Sequence, residues 1–352
     1  MSHVDIDIGG FYIHFEKKEH VYTVNEPIDG KLYLKLRSSI KSCGLYLRVM
    51  GKLGVLWREG DDPVISQIMV DPETINGEPY STSENFLDEK IFFIKPPEGE
   101  EFVTIDKGDH EFKFSFRLTD FVKGGQITQT KINAALPFTS DHEYGSIKYM
   151  ITGVLPRHEI NDYDFQTVQF FKVISSIGDF GDTHRFFLPY KAEASTGTNS
   201  SVSSPNTSSS SKSSLRVTIN KTAFRPGETI NAILRLENES SLRKFSKCYV
   251  KLIQKATFHS KEPSSKYKIH EHDIFSYKQT DFDNHKLYEM DELIQIPKST
   301  QPASTMDPVH HIQYKYVLKV ELYTTLKYLP GGTSQPLEII VPVIIYNEES
   351  KA

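Results

Sequence analysis

Along this chain apolar and polar positions alternate in short runs. Leu32, Leu34 and Leu36 fall on one side, with Lys31, Tyr33, Lys35 and Arg37 on the other. Period two with one apolar face predicts a half-buried strand. Leu45, Leu47 and Val49 predict a second strand, with Gly51 and Gly54 beyond it. Gly108-Asp109-His110 turns into the cleanest run, with Phe112, Phe114, Phe116 and Leu118 inward and Glu111, Lys113, Ser115 and Arg117 outward. Glu89–Ile94 is a short strand stopped by Pro96-Pro97, and Ile147–Val154 and Val168–Ser175 follow. In the second half Ile230, Ala232, Leu234 and Leu236 face in, and Cys248, Val250 and Leu252 alternate with lysines. The last strands are Tyr314–Tyr323 and Ile339–Tyr346, where Pro342 predicts an edge or a bulge. Residues 58–90 and 259–285 are polar and aperiodic, and predict excursions between strands. No amphipathic helix of ordinary length is predicted.

The runs repeat. Tyr22–Gly51 and Phe224–Gln254 share one order of turn, strand, polar corner and strand, about two hundred residues apart. Phe224 falls on Tyr22, Glu228 on Glu26, Ile230 on Ile28, Leu234 on Leu32 and Leu236 on Leu34. A hairpin repeated at that interval predicts two related β domains in tandem. Pro226-Gly227 suits a type II turn, Asn238 and Ser240 a sharp strand corner, and Gly145 a tight turn. Many short strands with turn signals and no helix predict an all-β fold of two tandem immunoglobulin-like β-sandwiches. From Ser195 to Ser214, eleven of twenty residues are serine and three more are threonine. That composition buries no core, and predicts a tether or inserted loop.

A length of 352 residues suffices for two such domains, each with its own core. The start, MSHVDIDIGG, has neither the basic nor the apolar region of a secretory signal. Cys43 and Cys248 are too few for a disulfide framework and are expected as reduced thiols at half-buried strand positions. The net charge of −5 is unevenly spread: residues 215–352 carry 19 Lys and Arg against 16 Asp and Glu, a net +3, which leaves −8 for residues 1–214. A nucleic-acid partner needs a clustered positive excess, so none is expected. The mildly basic second half is compatible with an anionic membrane surface or an acidic segment, although solvated strand faces explain it more simply.

Little in the sequence calls for catalysis. There is no Gly-x-Ser-x-Gly elbow, no phosphate-cradling Gly-x-x-x-x-Gly-Lys and no Gly-x-Gly-x-x-Gly opening a helix. His270 and His272 on an extended segment would share one face, within reach of a single metal, yet no cysteine pair or aspartate cluster joins them at ligand spacing. Catalytic, cofactor and metal residues are therefore expected to be absent, and the partner-binding residues stay unassigned.

Two ordered sets of residues carry a family likeness. The first is Gly108-x-His110-x-Phe112-x-Phe114-x-Phe116-x-Leu118, then Leu136-Pro137, then Tyr144-Gly145-Ser146-Ile147-Lys148-Tyr149. The second is Phe224-Arg225-Pro226-Gly227-Glu228-x-Ile230 with Glu237-Asn238-x-Ser240 and Gln254. Together they resemble the arrestin-domain-containing proteins, and the α-arrestins more than the visual and β-arrestins. The resemblance implies two seven-stranded sandwiches in a curved tandem: an N-terminal arrestin-like domain over 8–180, a Ser-rich linker or loop over 181–214 and a C-terminal arrestin-like domain over 215–347. It also implies a non-enzymatic, cofactor-free adaptor in the cytoplasm, peripheral at the plasma membrane or endosomes, that links membrane-protein cargo or receptor tails to ubiquitin ligase or endocytic machinery. The other implied role is a stable subunit of an endosomal coat, as in the retromer subunit that shares this fold. Pro96-Pro97 runs on into Glu98-Gly99, so there is no ligase-recruiting Pro-Pro-x-Tyr. Phe165–Val173 carries only Lys172 where receptor arrestins have a basic phosphate-sensing strand.

Overall fold

Alternation of buried and exposed side chains makes strands of most of what the computed structural model describes, which is residues 8–58, 79–121, 136–157, 164–175, 183–195, 213–240, 243–282, 286–303, 311–326 and 336–347. The chain divides into two units, the first comprising residues 1–175 with 258–268 and 305–312, the second the rest. The first unit carries β1 (Ile8–Phe15), β2 (Val21–Thr23), β3 (Ile28–Leu36), β4 (Ile40–Ser42), β5 (Leu45–Trp57), β6 (Tyr80–Ile94), β7 (Val103–Ile105), β8 (Gly108–Phe116), β9 (Ser140–His142), β10 (Gly145–Leu155) and β11 (Phe165–Ile174). One sheet runs β1-β3-β8 and the other β2-β11-β10-β5-β6, with β9 added on β10 and a small β4-β7 pair apart. Then come β12 (Tyr190–Ser195), β13 (Ser213–Ile219), β14 (Ala223–Phe224), β15 (Thr229–Asn238), β16 (Arg243–Ser260), β17 (Lys266–Gln279), β18 (Leu287–Gln295), β19 (Ile312–Leu326) and β20 (Leu337–Ile345). Their sheets run β12-β13-β15-β18 and β14-β20-β19-β16-β17.

The two sets have the same plan: β1-β3-β8 corresponds to β13-β15-β18, and β2-β11-β10-β5-β6 to β14-β20-β19-β16-β17. Register agrees with it. Leu32 pairs with Ile13, and Leu234 with Val217; Ile28 pairs with Phe116, and Ile230 with Ile294. All these residues are buried. The fold is therefore all-β, as the alternation predicted.

The repeated stretch is the place where each chain passes from one sheet to the other. Tyr22 on β2 lies parallel to Val173, and Phe224 on β14 parallel to Ile345, and both rings are buried. A carboxylate locks the turn that follows. Glu26 accepts the Thr23 N–H at 3.1 Å and holds the Lys17 ammonium at 2.5 Å, while its own N–H bonds the Thr23 carbonyl. Glu228 accepts the Arg225 N–H at 3.1 Å and holds Lys221 at 2.6 Å, with its N–H on the Arg225 carbonyl. Each lysine also lies over the core aromatic, Lys17 5.2 Å from the Tyr22 ring and Lys221 5.0 Å from that of Phe224. In the second turn Gly227 takes φ +91°, the type II geometry that Pro226-Gly227 predicts.

A tyrosine pins a loop in each set. Tyr149, buried on β10, donates its hydroxyl to the Pro137 carbonyl, which explains why Leu136-Pro137 accompanies it. Tyr316 on β19 donates to the Gln301 carbonyl and accepts from Gln254, which gives that glutamine its structural role. At the corner after β15, the Asn238 carbonyl oxygen accepts the Ser240 N–H and the Ser213 hydroxyl, and its amide donates to the Arg243 carbonyl.

Several expectations need correction. β5 continues through Gly51 and Gly54 to Trp57, because the Phe86 ring occupies the place a Gly51 side chain would take. Glu89–Ile94 is the end of a 15-residue strand that begins at Tyr80 and pairs with β5 throughout. The polar stretch 259–285 contains β17. β12 lies within the segment read as a linker, its register with β13 running from Tyr190↔Ile219 to Ser195↔Ser214; residues 196–212 lie outside the described ones. Among the described residues β1 to β11 make eleven strands and β12 to β20 nine, where seven were implied for each domain. Gly145 opens β10 straight after the tight turn at Glu143-Tyr144, as expected, but it adopts no positive φ; it is small because a Cβ would come within 2.8 Å of the Gly54 carbonyl. Pro342 sits where β20 is locally an edge, since β14 reaches only Ile344 and Ile345.

Burial pushes the Glu228 carboxyl up, but the Lys221 ammonium and the Arg225 N–H outweigh it and hold it below the usual carboxylate range. A carboxyl depressed on folding stabilises fully above its unfolded pKa of about 4.3, and the contribution fades as pH falls through the folded value. Glu228→Gln is expected to lower stability by roughly 1 kcal/mol at neutral pH, with the difference from wild type vanishing in acid. Urea unfolding at a series of pH values measures it. Tyr149→Phe, which strands the Pro137 carbonyl, is expected to cost about 1–2 kcal/mol at every pH below the tyrosine range, measured the same way.

Candidate partner-docking edges

The residues with reactive chemistry are dispersed. Cys248 is fully buried on β16, and burial, with the Glu292 carboxylate nearby, pushes its thiol up to about 12. A thiol so protonated is a poor nucleophile. Cys43 is exposed in the bend between β4 and β5, where its sulfur lies 3.5 Å from the Arg157 carbonyl, so the half-buried strand position expected for it is not what it occupies. His270 and His272 lie two apart on β17 and so share a side of the strand, but among the described residues no group of three or more His, Cys, Asp or Glu gathers to hold a metal. His259 and His311 stack at 4.9 Å, with Tyr267 on the other ring contact of His259 at 4.4 Å. Burial pushes the His311 imidazole down, and its Nδ1 faces the His259 carbonyl at 3.2 Å. No described helix is long and apolar enough to cross a membrane.

What the strands offer instead is backbone. Each of the two larger sheets ends on a long strand, β6 at 15 residues and β17 at 14. Strands of five or six residues are usual, and natural edges are commonly shortened to prevent pairing with other chains. On β6 the first turn of the edge is occupied: the Ser81 N–H bonds the Glu262 carbonyl at 2.8 Å, and the Lys261 N–H bonds the Ser81 carbonyl. Beyond it Glu84–Ile94 has only β5 as a strand partner among the described residues. β17 likewise has only β16. Its carboxylates Glu271 and Asp273 are tied to Lys255 and Lys251 at 2.8 and 2.7 Å, and Lys278 lies over the Tyr249 ring. With its acids paired, Lys278 is the remaining charged side chain of the Ile269–Gln279 stretch.

The sequence pattern placed β17 and residues 80–88 of β6 in excursions, and showed only the Glu89–Ile94 end of β6 as a strand. A strand covered on one side only, with both faces partly exposed, carries a mixed pattern, as in Ser81-Thr82-Ser83-Glu84-Asn85. The signal that could have found β17 is its density of β-formers, Tyr267, Ile269, Ile274, Phe275 and Tyr277.

The chain matches the family described as arrestin (or S-antigen), N-terminal domain, over residues 11–178, and that described as arrestin (or S-antigen), C-terminal domain, over residues 209–350. A comparison with curated proteins found no match.

Under native conditions a thiol alkylating reagent is expected to modify Cys43 and spare Cys248, with the second adduct appearing only on unfolding. Peptide mass spectrometry reads both sites. Native modification of Cys248 would contradict its placement.

Proposed function

The chain belongs to the arrestin-domain family, and on that premise we propose that it is a non-enzymatic cytoplasmic adaptor in membrane-protein trafficking and endocytosis. In this reading the cytoplasmic tail of a membrane-protein cargo or receptor adds to a sheet edge as an extra strand. Unpaired backbone groups on the edge supply affinity, and side chains alternating along the tail supply selectivity. The observation that carries it is the pair of long edges, β6 beyond Ser83 and β17 from Ile269, each with a single strand neighbour among the described residues. Sorting or ubiquitin ligase machinery would engage the remaining surface.

Proximity labelling in the native cell tests the reading. Recovery of membrane proteins together with endocytic or endosomal components is expected. Recovery of neither, or quantitative elution of the protein in one large constitutive complex, would contradict a cargo adaptor; the latter result is that of a coat subunit.

A further inference from the structure

The outer face of the β2-β11-β10-β5-β6 sheet has a charge pattern at odds with the acidic first half of the chain. Inward residues of this sheet, such as Val49, Ile151 and Phe171, are buried in the core. Outward, Lys148 on β10 pairs directly with Lys52 on β5. The β10–β11 register, which places Tyr149 against Phe171, brings Lys172 beside Lys148 on the next position. Three lysines thus stand abreast across three strands. All three are exposed, and none forms an ion pair with a carboxylate among the described residues. Like charges directly opposite on neighbouring strands cost stability. The row is a local expense that core packing does not call for.

The adjacent positions are apolar. Phe170 pairs with Met150, and Met150 with Met50. Phe170 is 55% exposed, and Val168 two positions along β11 is 46% exposed. Arg48 and Lys90 face each other on β5 and β6, and Tyr46 and Phe92 pair beyond them, with Phe92 42% exposed. Lys90 lies 4.7 Å from the Tyr46 ring and Lys95 4.7 Å from that of Phe92. The outward strand carboxylates are Asp88, held by Arg48 in two bonds of 2.6 Å, and Asp141 on β9 opposite Ser146. Five cations, Arg48, Lys52, Lys90, Lys148 and Lys172, therefore oppose two acids on this face.

We propose that this face docks on an anionic phospholipid bilayer, with the lysine row on the headgroups and Phe170, Val168 and Phe92 entering the interface. Charge complementarity and exposed aromatic tips between lysines are what such a surface requires. An acidic peptide suits the face less well. β5 and β10 are paired on both sides, so their backbone groups are used and a peptide strand lying across them would be held by side chains alone. A headgroup layer needs no backbone partner. The proposal gives the adaptor reading a surface for its peripheral membrane placement, and rests on that reading only for the compartment.

Flotation of the full chain with phosphatidylcholine vesicles, with and without phosphatidylserine, tests it. Binding is expected only with phosphatidylserine, and is expected to fall steeply with salt. One basic residue near an anionic leaflet is worth about fivefold in affinity, so the triple change Lys52→Glu, Lys148→Glu, Lys172→Glu is expected to weaken binding by roughly a hundredfold or more. A matched control, Lys247→Glu with Lys315→Glu on the other unit, is expected to keep it. Lys148→Glu alone relieves the repulsion, and is expected to hold or raise the melting temperature while weakening vesicle binding. Absence of wild-type binding at low salt, flotation of the folded triple variant like wild type, or loss in the control alone would overturn the proposal. So would lysine-dependent binding of a soluble poly-glutamate peptide without vesicle binding. Capture of a cargo tail on the edges is unaffected in the triple variant if the adaptor reading holds, so the two can fail separately.

Discussion

A two-sheet sandwich must carry its chain from one sheet to the other, and the backbone groups of that crossing need partners. Here a glutamate supplies them twice. Glu26 and Glu228 each close the turn behind a buried aromatic and each anchor a lysine that lies over that ring. The crossing places β2 beside β11 and β14 beside β20 in parallel. It also delivers β3 and β15 to the centre of the opposite sheet, where the leucine runs fill the core. The repeated sequence is therefore the repetition of one physical solution. Its Glu–Lys pair is partly exposed and weak as an ion pair alone; its value lies in satisfying the turn.

With the crossings fixed, the remaining surfaces follow from strand order. Both larger sheets run in the same sequence of equivalent strands, so both end on the equivalent long strand, β6 in one and β17 in the other. Interior strands spend their backbone on neighbours and display side chains only, while terminal strands display backbone. Edges and faces thus recognise different things. An edge suits an extended chain, and a face suits a surface of charge. The three lysines abreast on β5, β10 and β11 are tolerable in a sheet this well paired, where a small electrostatic cost is spread over a large core.

The fold was legible because many of its strands turn one apolar face to the core: Leu32 to Leu36, Phe112 to Phe116 and Ile230 to Leu236 announce themselves by alternation. The corners were legible as well, since Gly227 and Asn238 meet demands that few residue types satisfy. The edges were not, because β6 and β17 have no single face to bury and their composition resembles that of loops. The tight turn before Gly145 was legible, but the close approach of the Gly54 carbonyl that calls for a glycine there was not. The lysine row could not be read in advance: Lys52, Lys148 and Lys172 are distant in sequence and meet only through strand order. Family likeness supplied the functional class, which no residue pattern alone could have given.

Hydrogen-exchange mass spectrometry on the full chain, with and without the cytoplasmic tail of a membrane protein recovered by proximity labelling, tests the central claim most directly. The tail is expected to slow exchange along β17 from Ile269 or along β6 beyond Ser83, in contiguous stretches, with the core strands already protected in both states. Protection confined to loops, or no change on either edge under saturating tail, would contradict the account.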